Sequence, residues 1–189
     1  MIGASHGISR MSKAIVALSF RGNSTVSHIM EINDETGETI EAIQFKGVVH
    51  GKTYHEHHTP GTRIDVYEDK HRTPEREAAV WKSMSGEIGK GYDWAGIWGI
   101  VRRKMRENPI KWFCSELAFW ARLKNGIVLL NNIFACQVTP ATFITSTELV
   151  YIGFLIVGQD VDELGKVPIS QIAKKNRMIE EHGRRVPYN

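Results

Sequence analysis

Residues 111–120 read KWFCSELAFW and place Cys114 directly before a run of good helix formers. The pattern predicts a helix that begins at Cys114 and ends near Lys124, ahead of the Asn125-Gly126 pair. A thiol at a helix N-terminus lies beside unpaired backbone N–H groups and the positive end of the helix dipole. Both favour the thiolate and lower the thiol pKa. The position therefore makes Cys114 a candidate nucleophile.

The alternative for Cys114 is a buried cysteine that packs as a small hydrophobic residue. Ala118 and Ala121 follow the cysteine at i+4 and i+7, so all three share one face of the predicted helix. Two alanines let this face approach a sheet closely. The side chains that the sheet brings to the sulfur then decide between the two interpretations.

Composition narrows the class of protein. A chain of 189 residues, 42% hydrophobic, suits one compact domain with a substantial core. Cys114 and Cys136 are the only cysteines, which excludes a disulfide framework and CxxC metal motifs. A net charge of +3 is too small to indicate nucleic-acid binding by itself. No apolar run is long enough for a secretion signal or a membrane span, so we expect an unexported protein.

The predicted strands lie mostly in the first third of the chain. We expect a flexible leader over residues 1–12, one domain over 13–166, and a C-terminal helix with a basic tail over 167–189. Alternating or apolar segments predict strands at 13–20, 26–32 and 39–43, with further strands near 45–54 and 63–67. The apolar run at 149–157, LVYIGFLIV, predicts a central strand.

The predicted helices are marked by their caps. Thr73-Pro74 and Thr139-Pro140 each combine an N-cap hydroxyl with proline at the first helical position. We therefore expect one helix from 74 to about 88 and a short one after 139. Helical patterns also cover 94–106 and 169–182.

His28 and Glu41 lie on the second and third predicted strands. Alternation places His28 with Met30 and Ile32, and Glu41 with Thr39 and Ile43. A hairpin loop with an even number of residues puts His28 and Glu41 on one face. A four-residue loop, 33–36, puts them directly opposite, with Cβ atoms about 5 Å apart.

Histidine can take the proton of a thiol, and a carboxylate can orient the ring and stabilise its charge. The alternatives are a hydrogen-bonded core histidine for His28 and an edge-strand solubility residue for Glu41. A Cys-His-Glu arrangement is the hypothesis that joins both residues to Cys114.

Three short motifs resemble one superfamily. SHIMEI at 27–32 resembles the S-H-V-G-I strand of the NlpC-type papain-like peptidases, and IEAI at 40–43 with Gly47-Val48 resembles the next strand. FCSEL at 113–117 resembles the nucleophile helix. The histidine precedes the cysteine, which is the order of the circularly permuted branch with the YiiX-like and lecithin:retinol acyltransferase-like proteins. GYD at 91–93 and Thr139-Pro140 with Ser146 are similar to that branch, whereas Met30 replaces its usual glycine and no Gly-Asp pair opens the first strand.

The resemblance implies an α+β, papain-like domain in which a mostly antiparallel sheet packs against a helical layer that carries the nucleophile. It implies a thiol-dependent hydrolase for an amide bond, in a peptide, an isopeptide or a cell-wall peptide, without a cofactor or metal. Cys114 would attack, His28 would carry the proton and Glu41 would orient His28. Candidate substrate or oxyanion contacts are Tyr92, Ser27 and Trp94.

Two other functions remain open at this stage. One is a non-catalytic binding or structural module, and the other is a lipid acyltransferase or esterase that acts at membranes. A basic cluster is either a solvated helix face or a contact for an anionic surface: Arg102, Arg103, Lys104, Arg106 and Lys111. The histidines at 55, 57 and 58 read as solvated loop residues in preference to metal ligands.

Overall fold

The computed structural model describes residues 1–18, 24–95, 110–159 and 163–185. Its strands are β1 (Ile2–His6), β2 (His28–Ile32), β3 (Thr39–Ile43), β4 (Gly47–Gly51), β5 (Arg63–Asp69), β6 (Gly91–Tyr92), β7 (Lys111–Trp112) and β8 (Leu149–Ile156). Its α-helices are α1 (Arg10–Leu18), α2 (Pro74–Ser85), α3 (Cys114–Lys124), α4 (Pro140–Phe143) and α5 (Ile169–Arg185). A 3₁₀ turn covers Ala135–Gln137.

The main sheet has six strands in the order β4-β3-β2-β1-β5-β8, and every neighbouring pair is antiparallel. The short strands β6 and β7 form a separate parallel pair. The protein is thus α+β with a mostly antiparallel sheet, as expected. Among the described helices, none combines the length and apolar character needed to cross a membrane.

Helices cover both faces of the sheet. On one face, Leu117, Ala118 and Ala121 of α3 are buried in a cluster with Ile29 and Ile40. On the other, α5 contributes to a second cluster that contains Met30 and Ile32, through Ile169, Ile172 and Ala173. Successive residues of β2 therefore enter opposite cores, which is the alternation that a strand imposes. The small face of α3 lies on the sheet, as the alanine spacing predicts.

The expected flexible leader at 1–12 is wrong at both ends, since residues 10–12 belong to α1 and residues 2–6 to a strand. Residues 2–6 form β1, which lies in the interior of the sheet between β2 and β5. Ile2 and Ala4 are fully buried, and a Cβ at Gly3 would come within 2.7 Å of the Ile32 side chain. The small residues of this segment are required by tight packing, although they resemble those of a mobile terminus.

The strand expected at 13–20 is also wrong over residues 13–18, which belong to α1, while residues 19 and 20 lie outside the described residues. Ser9 starts this helix: its hydroxyl accepts from the Ser12 N–H at 3.1 Å and its carbonyl accepts from Lys13 N–H at 3.1 Å. A short apolar run such as AIVAL fits a strand or a helix equally well. The Ser9 cap therefore favours the helix over the strand in this segment.

The apolar run at 149–157 forms β8 over residues 149–156, and β8 is an edge strand and not a central one. Helix α5 lies directly on it, and a Cβ at Gly153 would meet the Ala173 carbonyl oxygen at 2.0 Å. The absence of a side chain at Gly153 permits this close approach. The helix, and not a further strand, explains why β8 is apolar.

Both predicted caps are confirmed. Thr73 accepts from the Arg76 N–H and Thr139 from the Thr142 N–H, each with proline at the start of the helix. Helix α2 ends at Ser85, earlier than expected, and α5 extends three residues beyond the predicted end at 182. The expected helix at 94–106 lies largely outside the described residues.

Candidate active site

Cys114 is the first residue of α3, as predicted, and its surroundings hold it there. The preceding strand β7 pairs with β6, and Trp112 O accepts from Asp93 N–H at 3.0 Å. The Glu116 carboxylate accepts from Phe113 N–H at 3.3 Å, and Ser115 Oγ donates to Val138 O at 2.6 Å. The thiol is buried at this helix start, where backbone N–H groups are available to it.

His28 and Glu41 lie on neighbouring strands and contact each other, with His28 Nε2 at 2.6 Å from Glu41 Oε2. They are not directly opposite, as they would be with a four-residue loop. The observed pairs Glu31↔Ile40 and Ile32↔Thr39 are offset by two residues, because the connection covers residues 33–38. The contact is therefore diagonal across the hairpin, within reach of long side chains.

The Glu41 carboxylate is buried between three polar side chains. Thr39 Oγ1 donates to Oε1 at 3.0 Å, while His28 Nε2 and His58 Nε2 lie 2.6 and 3.2 Å from Oε2. Burial alone raises the pKa of Glu41, but the contacts with His28 and then His58 outweigh it and hold the pKa well below its usual range. Glu41 is thus a carboxylate at neutral pH, despite its burial.

The Cys114 and His28 side chains shift each other's pKa. Burial raises the pKa of Cys114, but the charge of His28, the hydrogen bond from its ring, and the backbone N–H groups of Ile29 and Ser115 together bring it below its ordinary value. Burial lowers the pKa of His28, and the opposing effects of Cys114 and Glu41 raise it to about 10. At neutral pH these shifts favour a thiolate beside an imidazolium.

Tyr92 lies close to the sulfur. Its side chain is buried and interacts with Gln44; burial and the nearby charge of Cys114 raise the pKa of its hydroxyl. Tyr92 therefore keeps its proton and can act as a hydrogen-bond donor near the thiol. Trp94 meets Tyr92 edge-on and Phe45 at a tilt, each at 5.1 Å between ring centroids, and forms an aromatic rim beside Tyr92.

The side chain of Ser27 forms hydrogen bonds with neighbouring backbone groups. Its Oγ accepts from Gly7 N–H at 3.1 Å and donates to Ser5 O at 3.3 Å, so it ties β2 to β1 and the turn that follows. It also lines a cavity of about 130 Å³ beside His28 and Glu41, whose other lining residues include Ser5, Ser9, Ser12, His58, Thr59 and Thr62. The hydroxyl of Ser27 is thus engaged in holding the backbone.

The structure adds His58 to the predicted residues. It lies on the loop 52–62, noted in the sequence only as a histidine-rich turn, and the fold carries it to Glu41. Cys136 lies buried in the 3₁₀ turn, while Lys111 is exposed in β7. The basic residues Arg102, Arg103, Lys104 and Arg106 lie outside the described part of the chain.

Comparisons with known proteins identify no family for this chain. No protein-family model matches the sequence, and no curated protein shows significant similarity to it. The chemistry of the site must therefore be derived from its own side chains: a buried thiol of lowered pKa, an imidazole of raised pKa and a buried carboxylate.

Proposed function

We propose that the protein is a cysteine hydrolase of the circularly permuted, papain-like NlpC type that cleaves an amide bond. The observation that carries the proposal is the thiol at the start of α3, whose pKa is lowered by an imidazole that a buried carboxylate holds at 2.6 Å. The chain order of the motifs, histidine, glutamate and then cysteine, also supports the proposal. The substrate would be a peptide, an isopeptide or a cell-wall peptide.

The proposed reaction has two halves. The Cys114 thiolate attacks the carbonyl carbon, and the oxyanion that forms accepts from the Cys114 backbone N–H. The His28 imidazolium then gives its proton to the leaving nitrogen, the C–N bond breaks, and a thioester remains. Water attacks the thioester while His28 takes one of its protons, the C–S bond then breaks, and the carboxylic acid leaves with the Cys114 thiolate and the His28 imidazolium restored.

The other side chains of the site have supporting roles in this proposal. Glu41 engages Nε2 of His28, so Nδ1 is the ring nitrogen left for the sulfur. Tyr92, protonated near the thiol, is the side chain best suited to donate to the substrate carbonyl. The Trp94 rim would contact a substrate side chain, whereas Ser27 would position β2.

Alkylation with a small haloacetamide should distinguish the two cysteines. Cys114 and Cys136 are about equally buried, at 3% and 5% exposed, so access alone predicts similar rates. Because the pKa of Cys114 is lowered, its thiolate persists as the pH falls below the ordinary value of about 8.5. We expect Cys114 to react faster at neutral pH, with its rate falling only at more acidic pH. Peptide mass spectrometry would measure both rates, and equal rates would contradict an activated Cys114.

Glu41→Gln should weaken hydrolysis without abolishing it, by about 100-fold. Glutamine keeps the shape and can accept a hydrogen bond from His28, but it lacks the charge that stabilises the imidazolium. The matched control is Glu38→Gln, a carboxylate of the same hairpin that is 38% exposed and lies 3.7 Å from His50, and it should retain full turnover.

The double variant His28→Ala with Glu41→Gln should be scarcely slower than His28→Ala, because triad members act as a unit. Steady-state turnover is measured for both single variants and for the double variant, and the losses are compared. Multiplicative losses would show that Glu41 acts independently of His28, for example directly on the substrate.

A substrate screen tests the proposed function. Peptide, isopeptide and acyl-ester substrates are offered to the wild type and to Cys114→Ala, and the amide substrates should release product only with the wild type. Release of product from acyl esters alone, together with flotation on anionic liposomes, would favour the lipid-directed alternative. A wild type that labels no faster at Cys114 than at Cys136 and cleaves nothing would favour a binding module.

A further inference from the structure

A second cluster of polar atoms uses the same carboxylate as the triad. His28, Glu41 and His58 each offer one ligand atom, and these three atoms lie within 4.8 Å of one another. They come from β2, β3 and the loop 52–62, so the tertiary fold adds His58 to the pair that the β2–β3 hairpin brings together. Two imidazole nitrogens and one carboxylate oxygen form a donor set that suits zinc, with a fourth position left for water.

His58 shows that the cluster is incompletely satisfied. Its side chain is 10% exposed, and its buried Nε2 makes no hydrogen bond of good geometry with any residue of the described ranges. This nitrogen nevertheless lies 3.2 Å from Glu41 Oε2. A buried polar atom without a hydrogen bond is unfavourable. A cation between the two atoms would give this nitrogen a partner.

The surroundings of the cluster also suit a metal ion. Thr39 Oγ1 donates to Oε1 of Glu41 and so orients the carboxylate with Oε2 toward the histidines, the type of outer contact that supports metal ligands. All three ligand residues line the 130 Å³ cavity. One water needs only about 10–15 Å³ of such space, so the cavity can also hold the water that completes the coordination.

We propose that His28, Glu41 and His58 bind a zinc ion and that the bound zinc blocks the thiol chemistry. The blocking role rests on the proposed function, whereas the zinc site does not. Zinc would take the Nε2 lone pair of His28, and the proton now held at Nε2 would leave to solvent. The metal-bound ring carries its remaining proton on Nδ1. It can no longer accept a proton from Cys114 or from water, so zinc binding and proton transfer exclude each other.

Zinc binding is measured on protein without a histidine tag, by competition between the chain and a chelating dye for zinc ion. We expect one ion per chain. Thr39→Val should weaken binding by about 10- to 100-fold, and His58→Ala, which removes a ligand, by more than that. Cys114→Ala should bind as the wild type does, and so should His50→Ala, which removes an exposed histidine outside the cluster. His58→Gln serves the same purpose if the alanine variant does not fold.

Two results would overturn the site. Equal affinity in the wild type and in His58→Ala would show that His58 is not a ligand. A loss in Cys114→Ala as large as the loss in His58→Ala would place the ion between the sulfur and His28 instead.

Hydrolysis provides the second half of the test. Zinc at saturating concentration should stop turnover of the wild type, and a chelator should restore it. Any residual hydrolysis by His58→Ala should be insensitive to the same zinc concentration. Unchanged turnover of zinc-loaded wild type would refute the blocking role. A chain that binds zinc through His58 yet hydrolyses nothing would instead refute the proposed function and leave the zinc site standing.

Discussion

His28→Ala should lower hydrolytic turnover by about 10⁴-fold or more, the largest loss expected here apart from that of the nucleophile itself. The variant removes the group that takes and returns the proton of Cys114. It also removes the positive charge that lowers the pKa of the thiol, while burial, which raises that pKa, remains. The pKa of Cys114 should therefore rise to its ordinary value of about 8.5 or above.

Two measurements check the effect of His28→Ala: turnover of an amide substrate, and the alkylation rate of Cys114 as a function of pH. In the variant, the alkylation rate at neutral pH should fall, and its inflection should move to higher pH than in the wild type. His50→Ala, an exposed histidine on β4, is the matched control and should change neither. An inflection that stayed low without His28 would mean that backbone N–H groups, such as those of Ile29 and Ser115, activate the sulfur alone.

Arg122→Ala should destabilise the fold by about 3 kcal/mol, near the lower end of the range for breaking a buried ion pair. Arg122 Nη2 lies 2.7 Å from Glu31 Oε2, and both side chains are 3% exposed. The pair ties α3, which carries Cys114, to β2, which carries His28. Without the guanidinium, the charged partner that remains for the buried carboxylate among the described residues is the Met1 ammonium, 3.0 Å from its other oxygen.

Urea unfolding of the wild type and the Arg122 variant measures this loss. The control is Glu181→Gln, which breaks an exposed pair with Arg177 on α5 and should cost less than about 1 kcal/mol. A loss in Arg122→Ala no larger than in the control would show that the Glu31–Arg122 pair contributes little.

The cost of Arg122→Ala should also depend on pH. Burial raises the pKa of Glu31, but Arg122 and then the Met1 ammonium together outweigh it and hold the pKa below its usual value. The stability from these contacts is therefore present above about pH 4.3 and is lost as the pH falls further. The difference between wild type and variant should thus be greatest near neutrality and should narrow in acid. A difference independent of pH would mean that lost packing, and not lost charge, causes the destabilisation.

The features that the sequence predicts correctly are those encoded by neighbouring residues. The start of α3 at Cys114 follows from a run of helix formers after an aromatic lead-in, and the starts of α2 and α4 follow from Thr-Pro caps. The proximity of His28 to Glu41 needs only two adjacent strands and an even hairpin connection. Each of these depends on interactions within a few residues or across a single turn, so the local sequence is sufficient.

The tertiary structure decided what depends on distant contacts. Residues 2–6 are an interior strand because β2 and β5 lie on either side of them, and β8 is apolar because α5 covers it. The hairpin connection lengthened to 33–38 since Asn33 Oδ1 accepts from the Glu35 and Thr36 N–H groups and Gly37 adopts a φ of 76°. His58 reached Glu41 through the path of the loop 52–62 between β4 and β5. The free energy of these arrangements comes from burial and pairing between segments far apart in the chain, which no local pattern of residues encodes.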